Sequence, residues 1–412
     1  MSRRRVVITG IGVVSPIGIG LEQFWDGIVN CRSGAGPVSR FDPASFRTHF
    51  ACEVKNFVVA EQHQRAMRNL DLYTQFALAA AFDAVADSGL KNEQEDVRRI
   101  GVITGTGVGG LGTIEQNYSV FQERGPSRVS PFLVPMMMAN ASAGNIAIHL
   151  GYQGPNFGVV SACASSNHAF GLAFDQVAHG GADVVVTGGS EAAITYLGLG
   201  GFNALKALSQ RNDDPQRASR PFSGSRDGFV LGEGGAIFVF EEEARARKRG
   251  AQIYAEVCGF GMTDDASHIT APLPEGTMAA GAMRHAAEQA GIQLTDIDYI
   301  NAHGTSTKLN DAMETRAIRG LFGAHAKKLM VSSTKSQIGH LLGASGAVEL
   351  AAVVLGIRAG VVPPTINYQD PDPECDLDYV PNEPRAHRIR YALSNSFGFG
   401  GHNACICVGQ YS

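Results

Sequence analysis

A series of short apolar runs rich in valine and isoleucine ends again and again in glycine or a small polar turn. The runs are RVVITGIG, RRIGVITGTG, NFGVVSACAS, ADVVVTGGSE, YAEVCGFG, IDYINAHGTST, LMVSSTKS and YALSNSFGFGG. Each has the length and β-branched content of a buried strand. Between several of them lie helical stretches, LYTQFALAAAFDAVADSG and GTMAAGAMRHAAEQAG, whose last glycine suits a helix C-cap. Strands that alternate with helices predict an α/β protein in layers.

A length of 412 residues exceeds the usual size of one core and favours two or three domains or one duplicated unit. The order strand, turn, helix in NFGVVSACASSNHAFGLAFDQV returns in LMVSSTKSQIGHLLGASGAVELAAVVLG. A duplicated fold is the economical reading. Its division is expected near residue 250, after EEEARARKRG, giving halves of residues 1–250 and 251–412. That charged run reads as the solvated face of a helix.

Composition removes several classes of function. Hydrophobic residues make up 44% and charged residues 18%, with 50 glycines, which fits a compact enzyme with many tight turns and not a disordered chain. The longest apolar stretch, Gly346 to Val362, is broken by Glu349 and Arg358, so no membrane insertion is expected. The opening MSRRR leads into VVITGIGVVSPIG, which reads as a first strand and not a signal peptide, and a cytoplasmic location follows as the default. Seven cysteines without a CxxC pair indicate neither a zinc ribbon nor a disulfide framework. A formal net charge of −5 argues against general nucleic-acid binding.

The chemistry-bearing residues sit at the ends of separate apolar runs. Cys163, in VVSACASSNHAFG, precedes a helix start, where terminal amides would stabilise a thiolate. His303 in NAHGTST, Lys335 in SSTKSQIGH and His340 five positions later occupy similar places. A buried core cysteine and hydrogen-bonded structural histidines are the bland alternatives. Two imidazoles and an ammonium at buried strand ends are costly unless paired or used, and with Cys163 they favour an enzyme.

No HxxxH spacing surrounds His303 or His340, so no catalytic metal is expected. His168, five residues after Cys163, is expected to pack in the helix. GTGVGG from Gly105 to Gly110 formally satisfies a dinucleotide fingerprint, but no strand-ending acid follows about twenty residues on, and a close-packed turn lining a pocket is the better reading. NSFGFGGHN, from Asn395 to Asn403, offers flexible backbone amides beside Phe397 and Phe399. Such amides suit an oxyanion hole.

Taken together, SACASS, NAHGTST, SSTKSQIGHLLGASGAVE and NSFGFGGHNA, with RPFSGSRDGFVLGEGG between them, resemble the β-ketoacyl-acyl-carrier-protein synthases, most closely type II. The resemblance covers nearly the whole chain. It implies the thiolase-type fold, two similar α/β halves forming a layered αβαβα core, assembled as a homodimer. It also implies decarboxylative Claisen condensation. Cys163 takes an acyl group from acyl carrier protein, and a malonyl unit on the same carrier loses carbon dioxide and attacks, lengthening the chain by two carbons.

By the same resemblance, His303 and His340 stabilise the enolate oxygen and Lys335 supports the electrostatics and position of His303. The amides of Cys163 and Phe399 form the oxyanion hole, and Phe399 gates the site. Thr305 and Thr307 lie along the phosphopantetheine arm, and Val108 and Phe202 line the acyl pocket. Arg65, Arg68, Arg128 and Lys206 face the acidic carrier protein. Asn301, Glu349, Ser394 and Asn395 match positions that hold a structural monovalent cation in some relatives. No cofactor is required for the chemistry.

Three other readings compete. A thiolase would use a second catalytic cysteine, for which Cys405 and Cys407 are the candidates, but they lie beyond the glycine-rich turn. A type III synthase would carry asparagine in place of His340. A chain-length factor, a non-catalytic partner, would lack Cys163. Primary fatty-acid synthesis and a dedicated lipid or polyketide pathway both use the same four groups, Cys163, His303, Lys335 and His340.

Overall fold

The computed structural model describes residues 3–412. The apolar runs become strands of one eleven-stranded sheet. Five belong to the first half: β1 (Val6–Ser15), β2 (Ile100–Gly105), β3 (Asn156–Val159), β4 (Val184–Glu191) and β5 (Gly234–Glu242). Five belong to the second: β6 (Ala255–Asp264), β7 (Tyr299–Asn301), β8 (Met330–Ser332), β9 (Tyr391–Gly398) and β10 (His402–Gly409). A short strand, Gly18–Ile19, pairs with β1 at the side.

The order across the sheet is β8-β7-β9-β10-β6-β1-β5-β4-β2-β3. Read outward from the centre, each half runs first strand, fifth, fourth, second, third, with the same parallel and antiparallel pairings. The halves join where β1 pairs antiparallel with β6, Val6 opposite Val257 and Ile8 opposite Ala255. The chain is therefore a duplicated α/β unit.

Helices complete the layers, among them α1 (Leu72–Ser88), α2 (Ser165–Ala178), α3 (Thr277–Ala290), α4 (Lys308–Phe322) and α5 (Ser345–Ala359). Asp71 caps the start of α1 by accepting from the Tyr73 amide. Gly89 and Gly291, the glycines expected to end α1 and α3, are left-handed at φ 68° and 70°. Helices α2 and α5 touch strands of both halves and form the middle layer, while α1 packs on β1 and β5 and α3 on β6 and β10. A helix covered on both faces favours small and apolar residues all round, and α5 is buried almost throughout. The stretch Leu342–Ala359, which is long and apolar enough to cross a membrane, is 83% buried inside the protein.

One expectation needs correction. EEEARARKRG forms a short helix, Glu243–Lys248, but it is not simply a solvated face. Arg245 and Arg249 turn inward to fully buried Glu241, and Arg245 also pairs with Glu95. A carboxylate at the end of a central strand requires these partners.

The duplication extends to a close backbone approach in each half. A Cβ at Gly12 would lie 2.0 Å from the Ala80 carbonyl oxygen of α1, and one at Gly261 2.0 Å from the Ala282 oxygen of α3. Gly10 and Gly259 stand in the same relation to Ala84 and Ala286, at 2.1 and 2.3 Å. GIG in β1 and GFG in β6 let the outer helices settle onto the first strand of each half. Gly12→Ala and Gly261→Ala are each expected to destabilise the fold by about 1–3 kcal/mol through overpacking against backbone. The check is a lower denaturant midpoint at unchanged slope, with the two effects adding in the double variant.

Candidate active site

The end of β3 turns sharply before α2. Ala162 has a left-handed φ of 48°, a strained conformation for a residue with a side chain, and it sets Cys163 at the turn two residues before α2. Ser165 ties the turn together: its hydroxyl donates to the Ala162 carbonyl at 2.7 Å and accepts from the Ser161 amide at 2.9 Å.

His303 follows β7 in the other half. Its amide and that of Gly304 donate to the two carboxylate oxygens of Glu314 on α4, at 2.9 and 2.8 Å. His340 is pinned through its backbone, donating to the Val230 carbonyl at 2.7 Å and accepting from the Gly232 amide at 2.9 Å. Its Nδ1 lies 2.8 Å from the Ser345 hydroxyl at the start of α5, and its Nε2 lies 3.1 Å from the Cys163 sulfur. The His303 and His340 rings are edge to face with centroids 5.3 Å apart.

Lys335 is buried and forms an ion pair with Glu349, which is also buried. It makes no hydrogen bond to His303 among the described residues, so its influence on that ring is electrostatic. The groups that position His303 by hydrogen bonds are Glu314 and, through it, Asn395, whose side-chain amide donates to Glu314 at 3.1 Å.

Burial sets the charge states. It holds both histidines well below the ordinary imidazole value, and the Lys335 ammonium reinforces the effect. Both rings are therefore neutral near pH 7. Burial also pushes the Cys163 thiol up to about 12, against the opposing pull of Lys335 and the Phe399 amide. Desolvation is the largest influence on the sulfur and opposes the helix-stabilised thiolate expected from its place before α2.

These groups open into a cavity of about 570 Å³ lined by Val108, Phe202, Thr305, Thr307, Lys206 and Phe399, among others. The GTGVGG turn contributes Gly107 and Val108 and is a close-packed pocket wall. Glu191 anchors it, accepting from the Thr106 hydroxyl at 2.9 Å, the Gly107 amide at 2.6 Å and the Gly343 amide at 3.0 Å. Gly343 lies in the segment after His340, so one carboxylate ties the pocket wall of the first half to the histidine loop of the second.

The remaining candidates are spread more widely. Lys206 stands at the cavity, whereas Arg65, Arg68 and Arg128 are exposed and outside its lining. None of the four forms an ion pair among the described residues. Asn301 and Ser394 face each other in the β7–β9 pairing, with Asn395 adjacent. His168 hydrogen-bonds Ser161 at 2.6 Å and has no contact with the sulfur in this network. Cys405 and Cys407 are buried in β10, away from the cavity lining.

The family model described as β-ketoacyl synthase, N-terminal domain, matches residues 3–246, and that for the C-terminal domain matches residues 254–369. The chain belongs to the β-ketoacyl synthase family. Relatives named 3-oxoacyl-[acyl-carrier-protein] synthase 2, from Synechocystis sp. and Coxiella burnetii, are each 48% identical over 100% of this chain and 99% of their own length. A solved complex of a type II PKS acyl-carrier protein with its ketosynthase superposes with a TM-score of 0.93 at 34% identity, covering 100% of both chains. The fold of this β-ketoacyl synthase family member is thus the thiolase-type fold.

Sequence reasoning missed Glu314, Glu191, Ser165 and Ser345. Glu314 had a signal, since acids at Asp311 and Glu314 sit among small and apolar residues of a helix that begins just after NAHGTST. Ser165 and Ser345 had none, because serine at a helix start is common.

The charge states can be checked directly. In protein carrying ¹⁵N-labelled histidine, the His303 and His340 ring signals, assigned by His→Ala variants, should keep neutral-imidazole shifts from pH 8 down to pH 6. A free imidazole with a pKa of about 6.5 would titrate across that interval. Because both folded values are depressed, the unfolded chain binds more protons below pH 6.5, and this pair lowers stability as pH falls.

Proposed function

We propose that the chain is an acyltransferase that condenses an acyl group held on Cys163 with malonyl-acyl carrier protein, lengthening the acyl chain by two carbons. The observation that carries this reading is the 3.1 Å contact between Cys163 and His340 Nε2, in a cavity that also receives His303 and Phe399. A chain-length factor role has no use for such a contact.

In the first half-reaction the thiol proton passes to His340 Nε2 as the sulfur attacks the acyl thioester carbon. The amides of Cys163 and Phe399 hold the oxyanion. The carrier's phosphopantetheine thiolate leaves and takes the proton, returning His340 to its neutral form. In the second, the bond from the malonyl carbon to its carboxylate breaks and carbon dioxide departs. The electron pair left behind forms an enolate, whose oxygen accepts hydrogen bonds from His303 and His340. The enolate carbon attacks the acyl carbon, and Cys163 leaves as a thiolate that regains its proton from solvent. His340 must accept at Nε2 in the first step and donate there in the second. The Ser345 hydroxyl supports both tautomers because it can accept from or donate to Nδ1.

Several finer readings belong with this one. Val108 and Phe202 bound the acyl chain, Thr305 and Thr307 lie along the phosphopantetheine arm, and Lys206, with Arg65, Arg68 and Arg128 farther out, steers an acidic carrier protein. Identity of 48% to enzymes named for 3-oxoacyl-carrier synthesis, against 34% for the polyketide complex, favours fatty-acid elongation in the cytoplasm. The division into residues 1–250 and 251–412 falls between β5 and β6. A homodimer fits the edge strand β3, where Phe157 and the following Val160 are 37% and 57% exposed beside unpaired backbone.

A structural monovalent cation also fits. The buried oxygens Asn301 Oδ1, Glu349 Oε2, Ser394 Oγ and Asn395 Oδ1 have no hydrogen-bond partner among the described residues. Unpaired buried oxygens are costly, and a hard cation with oxygen ligands would satisfy them. These four residues would hold it, and its charge would stiffen the β7–β9 region behind His303.

The test separates the half-reactions. Mass spectrometry of protein incubated with acyl carrier donor should place the acyl group on Cys163, with no adduct in Cys163→Ala. His303→Ala should keep acyl transfer while carbon dioxide release from malonyl carrier protein falls about a hundredfold to a thousandfold. His340→Ala should slow both steps. Normal decarboxylation in His303→Ala, or a stable adduct elsewhere with activity intact, would overturn the assignment.

A further inference from the structure

The spacing of the histidines along the chain gives no metal motif, yet the fold assembles one. Cys163, His303 and His340 each offer a ligand atom, and the three atoms lie within 4.8 Å of one another, all from buried residues. We propose that these three side chains form a site for a thiophilic divalent cation of the Zn²⁺ kind, whose binding competes with the acyl donor for the cysteine sulfur. The proposal goes beyond the condensing reaction, in which no divalent metal takes part.

The donor set is the first argument. One thiolate and two neutral imidazoles match the preference of zinc for sulfur and nitrogen, and a set of two histidines and one cysteine leaves a fourth tetrahedral position open. Here that position faces the cavity, where water or a thiol can complete it. Metal–sulfur and metal–nitrogen bonds of roughly 2.3 and 2.0 Å place tetrahedral ligand atoms about 3.5 Å apart. The Cys163 sulfur and His340 Nε2 already stand 3.1 Å apart. The third ligand, within 4.8 Å of the other two, has to draw in by at most about 1.3 Å, within the reach of side-chain rotation.

The surroundings supply the rest. His340 Nε2 is turned toward the Cys163 sulfur, and a ligand atom of His303 lies within 4.8 Å of both. Ser345 holds the far nitrogen of His340 at 2.8 Å, the outer hydrogen bond that a metal-bound histidine requires for orientation. The Lys335 ammonium, whose field reaches both imidazoles, opposes a cation, and its ion pair with Glu349 offsets only part of that repulsion. Binding is balanced in charge and atoms. The thiol loses its proton to the buffer, the sulfur lone pair bonds to the metal, and no electron changes hands. A sulfur carrying an acyl group has no such proton to lose and is a poor ligand, so the acylated and metal-bound states exclude each other.

The experiment uses the full-length protein and Co²⁺ and Zn²⁺ as probes. Co²⁺ should produce a thiolate-to-metal charge-transfer absorption, displaced by one equivalent of Zn²⁺, with release of one proton per metal in weak buffer. Cys163→Ala should abolish the band, and His303→Ala and His340→Ala should weaken binding by more than tenfold. Ser345→Ala should weaken it by about tenfold, as outer-shell changes do. Protein acylated on Cys163 should give no band, and Zn²⁺ should protect Cys163 from alkylation and slow acylation until a chelator is added. No band with unmodified, folded protein, or a band unchanged in Cys163→Ala, would overturn the proposal. Acylation and condensation measured in chelator-treated protein report on the condensing reaction independently, so failure of one reading is distinguishable from failure of the other.

Discussion

The contact between the Cys163 sulfur and His340 Nε2 spans the two halves of the chain. The sulfur comes from the turn before α2 and the imidazole from the loop before α5, and these two helices are the ones packed between the halves. Reactive geometry therefore exists only while the middle layer is intact. That layer is built from two helices buried along most of their length, α5 apolar on nearly every face, so the hydrophobic effect that docks the halves also fixes a distance of chemical importance.

Placing the site at this junction brings an electrostatic burden. Glu191, Glu314, Glu349 and Lys335 are all buried within the same region. Each is held by specific partners: Lys335 and Glu349 by one another, Glu314 by the amides of His303 and Gly304, and Glu191 by the pocket wall and Gly343. Burial raises Glu191 and Glu314 to about 7, so their hydrogen bonds only partly offset desolvation. Removing one partner of such a group leaves the other uncompensated, which makes this region sensitive to substitutions that touch no substrate. The same burial keeps the histidines neutral, the state in which they can both accept and donate a proton. Stability is given up locally to hold charge states that the chemistry uses.

The division between what was legible and what was not follows the range of the interactions. Strand runs, glycine caps and the repeated order of elements were readable because they depend on neighbours a few residues away. The short apolar, β-branched runs located the strands, and Gly89 and Gly291 ended the helices where left-handed backbone is needed. Cys163, His303, Lys335 and His340 were readable as polar groups interrupting buried strand ends, and their motifs in order pointed to the family.

What only the tertiary structure decided is whatever rests on distance between remote segments. Sequence placed Cys163 near a helix start and predicted a thiolate. The folded protein buries the sulfur, and desolvation in that cleft pushes the thiol up despite the Lys335 ammonium and the Phe399 amide. Sequence spacing gave no metal motif, yet three loops far apart in the chain converge to within 4.8 Å. Glu191 and Glu314 looked like acids in a strand end and a helix, and folding made them the anchors of the pocket wall and of the His303 loop. Local pattern encodes local conformation, whereas charge state and ligand geometry depend on the dielectric and neighbours that packing supplies, which no window of sequence contains.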